Sequence, residues 1–220
     1  MRRATFLGSS IGQKVVMAVS GLVLYAFVIG HMIGNLQIFL GREAIDHYSV
    51  FLHEFVHGQG LWIARAGLLL AVVLHVWMAV LLTLSNWSAR PVGYREWQAR
   101  ESTYASRTMI WSGPLLALFI LYHLAHLTLG IAGQGFREGA VFDNLVLGFS
   151  NPFVSAFYVL AMLALGLHMY HGFWSLLQSL GLSHPRWNPL RRSASTLLAL
   201  VVVLGNVSIP VAVLTGVVHL

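Results

Sequence analysis

The chain has 220 residues, 57% of them hydrophobic and 9% charged, with a mean hydropathy of +0.74, values outside the range of water-soluble domains and inside that of membrane proteins. Thirteen Lys and Arg against seven Asp and Glu leave a formal charge of +6, which in so apolar a chain reads as a record of membrane topology, not a nucleic-acid-binding surface. Cysteine is absent, which excludes disulfides, thiolate metal sites, iron–sulfur ligation and CxxCH attachment of a c-type haem.

A hydrocarbon core about 30 Å thick needs roughly 20 apolar helical residues. Five stretches supply them, near 14–39, 60–86, 108–131, 153–180 and 195–219, and predict an all-α bundle of five transmembrane helices in one domain over residues 1–220. The first apolar stretch is too long for a signal-peptide core and lacks a small-residue cleavage site, so it is expected to be retained. The paired Arg2 and Arg3 read as an orientation signal, not a twin-arginine export tag. Between the spans lie GREAIDHYSVFLHEFVHGQG, NWSARPVGYREWQARESTYASR, AGQGFREGAVFDNLVLGFSN and GLSHPRWNPLRRSAS, whose turn formers and charges predict loops.

With a cytoplasmic N-terminus, Arg2, Arg3, Lys14, Arg90, Arg95, Arg100, Arg107, Arg186, Arg191 and Arg192 fall inside, and only Arg42, Arg65 and Arg137 outside. Ten against three predicts N-terminus cytoplasmic, C-terminus outside. Trp87, Trp97, Trp111 and Trp187 cluster near the inner span ends, as interfacial anchoring predicts.

Six of eleven histidines fall within the hydrocarbon: His31, His75, His123, His126, His168 and His171. An ionisable group there is costly, and the default reading is a functional site. A single such imidazole often just bonds a carbonyl of a neighbouring helix, but four helices each supplying one shifts the balance. His31 lies 17 residues after Lys14 and His123 16 after Arg107. Both helices run outward, so both rings sit roughly 25 Å along, level in the outer half. His168, 16 residues after Pro152 on an inward-running helix, and His75, 12 before Trp87 on another, fall together on the inner side of the midplane. Two level pairs at two depths match bis-imidazole ligation of two haems inside a bundle. A proton relay would interleave acids, which the spans lack, and zinc would want three or four converging ligands. His126 and His171 stand three residues beyond His123 and His168, and geometry alone does not choose within each HxxH. Gly30 and Gly34 beside His31, Gly166 and Gly172 beside His168, and Gly130 after His123 would allow a flat macrocycle to approach.

The runs SGLVLYAFVIGHMIGNLQIFLGREAIDHYSVFLHE, SGPLLALFILYHLAHLTLG and FYVLAMLALGLHMYHGFWSLLQSLG resemble the cytochrome b subunit of succinate dehydrogenase, in the branch with a single five-helix anchor and two haems. The resemblance covers essentially the whole chain and is weakest in the second span, where little besides His75 matches. Fumarate reductase anchors share the helix plan. The resemblance implies axial ligands on His31 in GHM, His75 in VLHVW, the first histidine of YHLAH (His123) and the first of LHMYHG (His168). It pairs His75 with His168 for the inner haem b and His31 with His123 for the outer one.

It further implies that a flavoprotein subunit oxidises succinate in the cytoplasm, that an iron–sulfur subunit passes the electrons on, and that this chain carries them to a quinone, menaquinone in the two-haem type. The setting would be the cytoplasmic membrane of a prokaryote, with a higher oligomer of the complex as a possibility. The chain has no dinucleotide fingerprint and no cluster cysteines, so no dicarboxylate catalytic site is expected in it. Loops 87–107 and 181–194 are the expected docking surface for the soluble subunits. Glu54 in FLHEFVH is the candidate for quinone protonation, with His53 and His57 beside it. Lys14 and Arg107 are candidates for pairing with propionates, and His126 and His171 for the haem environment. The competing readings are an anchor of quinol:fumarate reductase, of another haem-b-linked dehydrogenase, or a transporter with histidine-lined sites.

Overall fold

A computed structural model describes residues 6–89, 103–133 and 135–220. Arg2, Arg3, Arg90, Arg95, Arg100 and Trp97, and most of loop 87–107, lie outside the described residues.

Seven α-helices stand among the described residues: α1 (Ser10–Asn35), α2 (Arg42–Glu54), α3 (Gln59–Ser88), α4 (Tyr104–His123), α5 (Val141–Phe149), α6 (Pro152–Ser179) and α7 (Asn188–Leu214). Five helical segments are long and apolar enough to cross a membrane: Ser10–Leu40, Gln59–Ser88, Tyr104–Thr128, Pro152–Ser179 and Pro185–Leu214. Each coincides with an expected span.

The starts are set by caps that absorb orphan N–H groups. Ser9 accepts from Gly12 N at 3.0 Å, Thr103 accepts from Ser106 N at 3.1 Å, and Asn151 accepts from Phe153 N at 2.9 Å with Pro152 in the first turn. α4 does not stop cleanly. It runs into a π-helical turn, Leu124–Thr128, in which Leu129 N–H reaches back to Leu124 O at 2.8 Å.

Two stretches expected to be loops are helical. In α5, Phe142, Leu145, Val146 and Phe149 are buried, the i, i+3, i+4, i+7 face of an amphipathic helix. α2 is a 13-residue helix with Ile45 buried. The two are clamped together: Arg42 pairs with Asp143, its guanidinium lies 4.9 Å from the Phe142 ring centroid, and Phe142 N–H donates to Asp46 Oδ1 at 3.0 Å. Both helices are too short to span and lie where α1 ends, called here the far end. The end where α1 begins is the near end.

α6 packs on α7 and on α4, and α1 packs on α3 and on α6. α3 makes no extended packing against α4 or α6, and α1 makes none against α4. The main core gathers at the far end around Ile38, Ile45, Phe142, Phe149, Ala161 and Ile209. Outward side chains such as Leu69, Leu118 and Phe153 are exposed apolar surface, which lipid solvates as well as protein does, so close approach rests on small residues and packing. Gly166 leaves room for Val203 of α7, and Gly205 for Met32 Sδ of α1.

Candidate functional site

Near the near end, His75 of α3 faces His168 of α6 with ring centroids 6.3 Å apart and planes at 60°. The His75 Nδ1–H donates to the Met17 carbonyl of α1 at 3.1 Å, with Ser20 Oγ at 3.5 Å. The edge formed by Cε1 and Nδ1 abuts Gly21, where a Cβ would stand 3.1 Å from Cε1 and 3.3 Å from Nδ1. His168 Nδ1 lies 3.2 Å from Ser112 Oγ of α4. That hydroxyl donates to Met109 O at 3.4 Å, which leaves its lone pair to accept from the imidazole. His75 Nδ1 therefore carries a proton and its Nε2 keeps a lone pair, and the Ser112 hydroxyl lets His168 take the same tautomer.

The second pair lies toward the far end. His31 is ten residues beyond Gly21 on α1, about 15 Å along the axis. Its ring lies 5.7 Å from that of His123 on α4, at 89°. His31 stacks on Phe27 at 5.3 Å, and its Nε2 accepts from Asn35 Nδ2 at 3.1 Å. His123 Nδ1 is 3.4 Å from the Tyr158 hydroxyl of α6.

The rings that face each other are the first histidines of the two HxxH motifs. His126 turns elsewhere: it is 3% exposed, its Nδ1 is 3.0 Å from the Tyr158 hydroxyl, Tyr122 stacks on it at 5.5 Å, and a Cβ on Gly148 would stand 2.8 Å from its Nε2. His171 is half-buried, one turn beyond His168.

These residues fit axial coordination of an iron by two imidazoles. Metal–nitrogen bonds of about 2 Å on each side, with each ring centroid about 1 Å further, set centroids roughly 6 Å apart. Both pairs lie near that spacing, and each bridges helices that make no extended packing with one another, α3 with α6 and α1 with α4. Three of the four rings engage Nδ1, the outward anchoring typical of metal-ligating histidine. His31 departs by presenting Nε2 to Asn35. No group of three or more His, Cys, Asp or Glu converges on a metal-sized point among the described residues, so the donor set is one of pairs. Of the expected small-residue positions, Gly30 and Gly172 face open space, whereas Gly34 seats Tyr48, Gly130 seats Phe136 and Gly166 seats Val203.

Lys14 and Arg107 are exposed at the near end. Glu54, His53 and His57 are exposed at the end of α2, where His53 Nδ1–H donates to Ser49 O at 2.8 Å. Val56 and His57 both take φ of 53°, followed by Gly58 at 81°, a left-handed run that is strained at a β-branched residue. Among the described residues, no hydrogen bond or ring contact joins these side chains to the His31–His123 pair.

Sequence reasoning missed Tyr158, Ser112, Ser20, Gly21 and Asn35. A scan for hydroxyls and amides within the spans would have raised Tyr158, Ser112, Ser20 and Asn35 as partners for intramembrane imidazoles, whereas Gly21 carries no such signal.

Five apolar spans with cross-helix histidine pairs define a multi-pass helical membrane subunit. The family model described as succinate dehydrogenase/fumarate reductase transmembrane subunit matches residues 88–207, which is 120 of the 220 residues, and the chain belongs to that family. It is thus the membrane-anchor subunit of an oxidoreductase complex that also contains soluble subunits. The match contains His123 and His168 and begins after His31 and His75. No curated protein and no solved structure matches the chain.

Proposed function

We propose that this chain is the cytochrome b anchor of a succinate dehydrogenase, holding one haem b between His75 and His168 and a second between His31 and His123. A haem held at each pair would supply a one-electron carrier. The observation that carries the reading is the two cross-helix pairs, spaced for a shared iron and tethered mostly through Nδ1.

The chain's own residues orient the ligands and separate the two sites along α1. With the near end cytoplasmic, as the ten-to-three bias of Lys and Arg supports, the His75–His168 site receives electrons from an iron–sulfur subunit. The His31–His123 site passes them to a quinone, menaquinone in our reading. Lys14 and Arg107 are assigned to propionates, and Glu54, His53 and His57 to quinone protonation. Fumarate reductase anchors belong to the same family, and the direction of electron flow distinguishes the two.

The test is purification of the intact complex through a tag on this chain. Co-purifying flavoprotein and iron–sulfur subunits, with b-type absorbance that succinate reduces, are expected. A complex without b-type absorbance contradicts the proposal. Faster fumarate reduction by a low-potential quinol than succinate oxidation would turn the assignment toward fumarate reductase.

A further inference from the structure

One hydroxyl serves two histidines. Tyr158 is 6% exposed and held edge-on by Phe149 at 4.9 Å and Phe119 at 5.1 Å. Its Oη lies 3.0 Å from His126 Nδ1 and 3.4 Å from His123 Nδ1. A phenol has one proton to donate and lone pairs to accept with. If both imidazoles donated to Oη, the phenolic proton would be buried with no acceptor among the described residues, which is costly. One histidine must therefore accept.

We infer that Tyr158 is a positioning residue that orders the protons as His123 Nδ1–H to Tyr158 Oη, and Tyr158 Oη–H to His126 Nδ1. This rests on reading His123 as an iron ligand through Nε2, because that role requires the proton on Nδ1. The reverse order would put the His123 proton on Nε2 and close that nitrogen to a metal. His126 is the fixed end of the chain. Its ring is wedged by Gly148 and by Gly133, where a Cβ would stand 3.2 Å from Cδ2, and it follows His123 within a π turn, a backbone feature that recurs at functional sites. The second histidine of YHLAH thus acts on the iron through Tyr158 and the first.

A hydrogen bond from Nδ1–H makes a ligating imidazole more basic and favours the ferric state. Tyr158→Phe in the whole purified complex is therefore expected to keep two haems, to raise the midpoint potential of the His31–His123 haem, and to alter its low-spin ferric EPR signal. The shift in its reduction equilibrium is about tenfold, or about 59 mV for one electron. The His75–His168 haem stays unmoved as the internal control. His126→Leu gives a smaller shift of the same sign, and it carries the test should Tyr158→Phe fail to assemble. Two haems whose potentials and EPR signals ignore both substitutions overturn this inference alone. A wild-type complex without haem overturns the proposed function and this inference with it.

Discussion

In the His75–His168 pair each ring is tethered at Nδ1 by the helix its own helix packs on: α1 gives the Met17 carbonyl to His75 of α3, and α4 gives Ser112 to His168 of α6. In the His31–His123 pair only His123 follows this rule, through Tyr158 of α6. His31 leans on its own helix, with Phe27 and Asn35 as neighbours one turn either side. The difference teaches that helix packing and ligand orientation are one design. Where α1 packs on α3 it serves the other helix's histidine and receives no tether for its own. The near pair is accordingly held in advance, and the far pair is held on one side.

Removing a ring should have the largest effect and should separate the sites. His75→Leu or His168→Leu is expected to abolish one haem and keep the other, and His31→Leu or His123→Leu to do the converse, read as haem b per chain. Next comes the seat of His75. Gly21→Val would drive a side chain into the imidazole and displace it, with loss of most of the near haem, whereas Gly67→Ala on the exposed face of α3, which meets nothing within 4 Å, should leave both haems in place. If the two glycines behave alike, the close packing of His75 on α1 is not what orients it.

The tethers should matter less than the ligands and unequally. Ser112→Ala is expected to weaken haem retention at the near pair by about 10-fold to 100-fold, measured by transfer to an apo-haem acceptor. Asn35→Ala should not weaken the far site, because it frees His31 Nε2 and removes no Nδ1 partner. The smallest effect falls on the clamp between α2 and α5. Asp46→Ala strips the acceptor from Phe142 N–H and should cost about 1 kcal/mol, seen as a drop of about 2–4 °C in the Tm of the detergent-solubilised chain.

The spans and the relative levels of the histidines along their helices were legible because hydropathy and a fixed helical rise depend on local sequence alone. The levels of the facing rings followed from that rise, while the choice of His123 over His126 and of His168 over His171 came from the family resemblance; the tethers were not legible, since Met17, Ser112 and Tyr158 act from other helices. α5 was read as a loop because Asp143 and the glycines around it masked the periodic Phe142, Leu145, Val146 and Phe149. Arg191 shows the same limit. As a charge it was assigned to a loop, yet it stands in α7, 5% exposed. Its guanidinium donates to Trp174 O at 2.9 Å and Ser183 Oγ at 2.7 Å and lies 4.2 Å from the Trp174 ring centroid. Partners on α6 and in the turn before α7 made a helical position for a cation that composition excludes.

The most direct test is a pyridine haemochrome assay on the purified complex, expressed as haem b per copy of this chain. The account predicts two, one lost with either ligand of each pair. A value of one would mean that a histidine pair is structural, and a value of zero would contradict the electron-carrying role altogether.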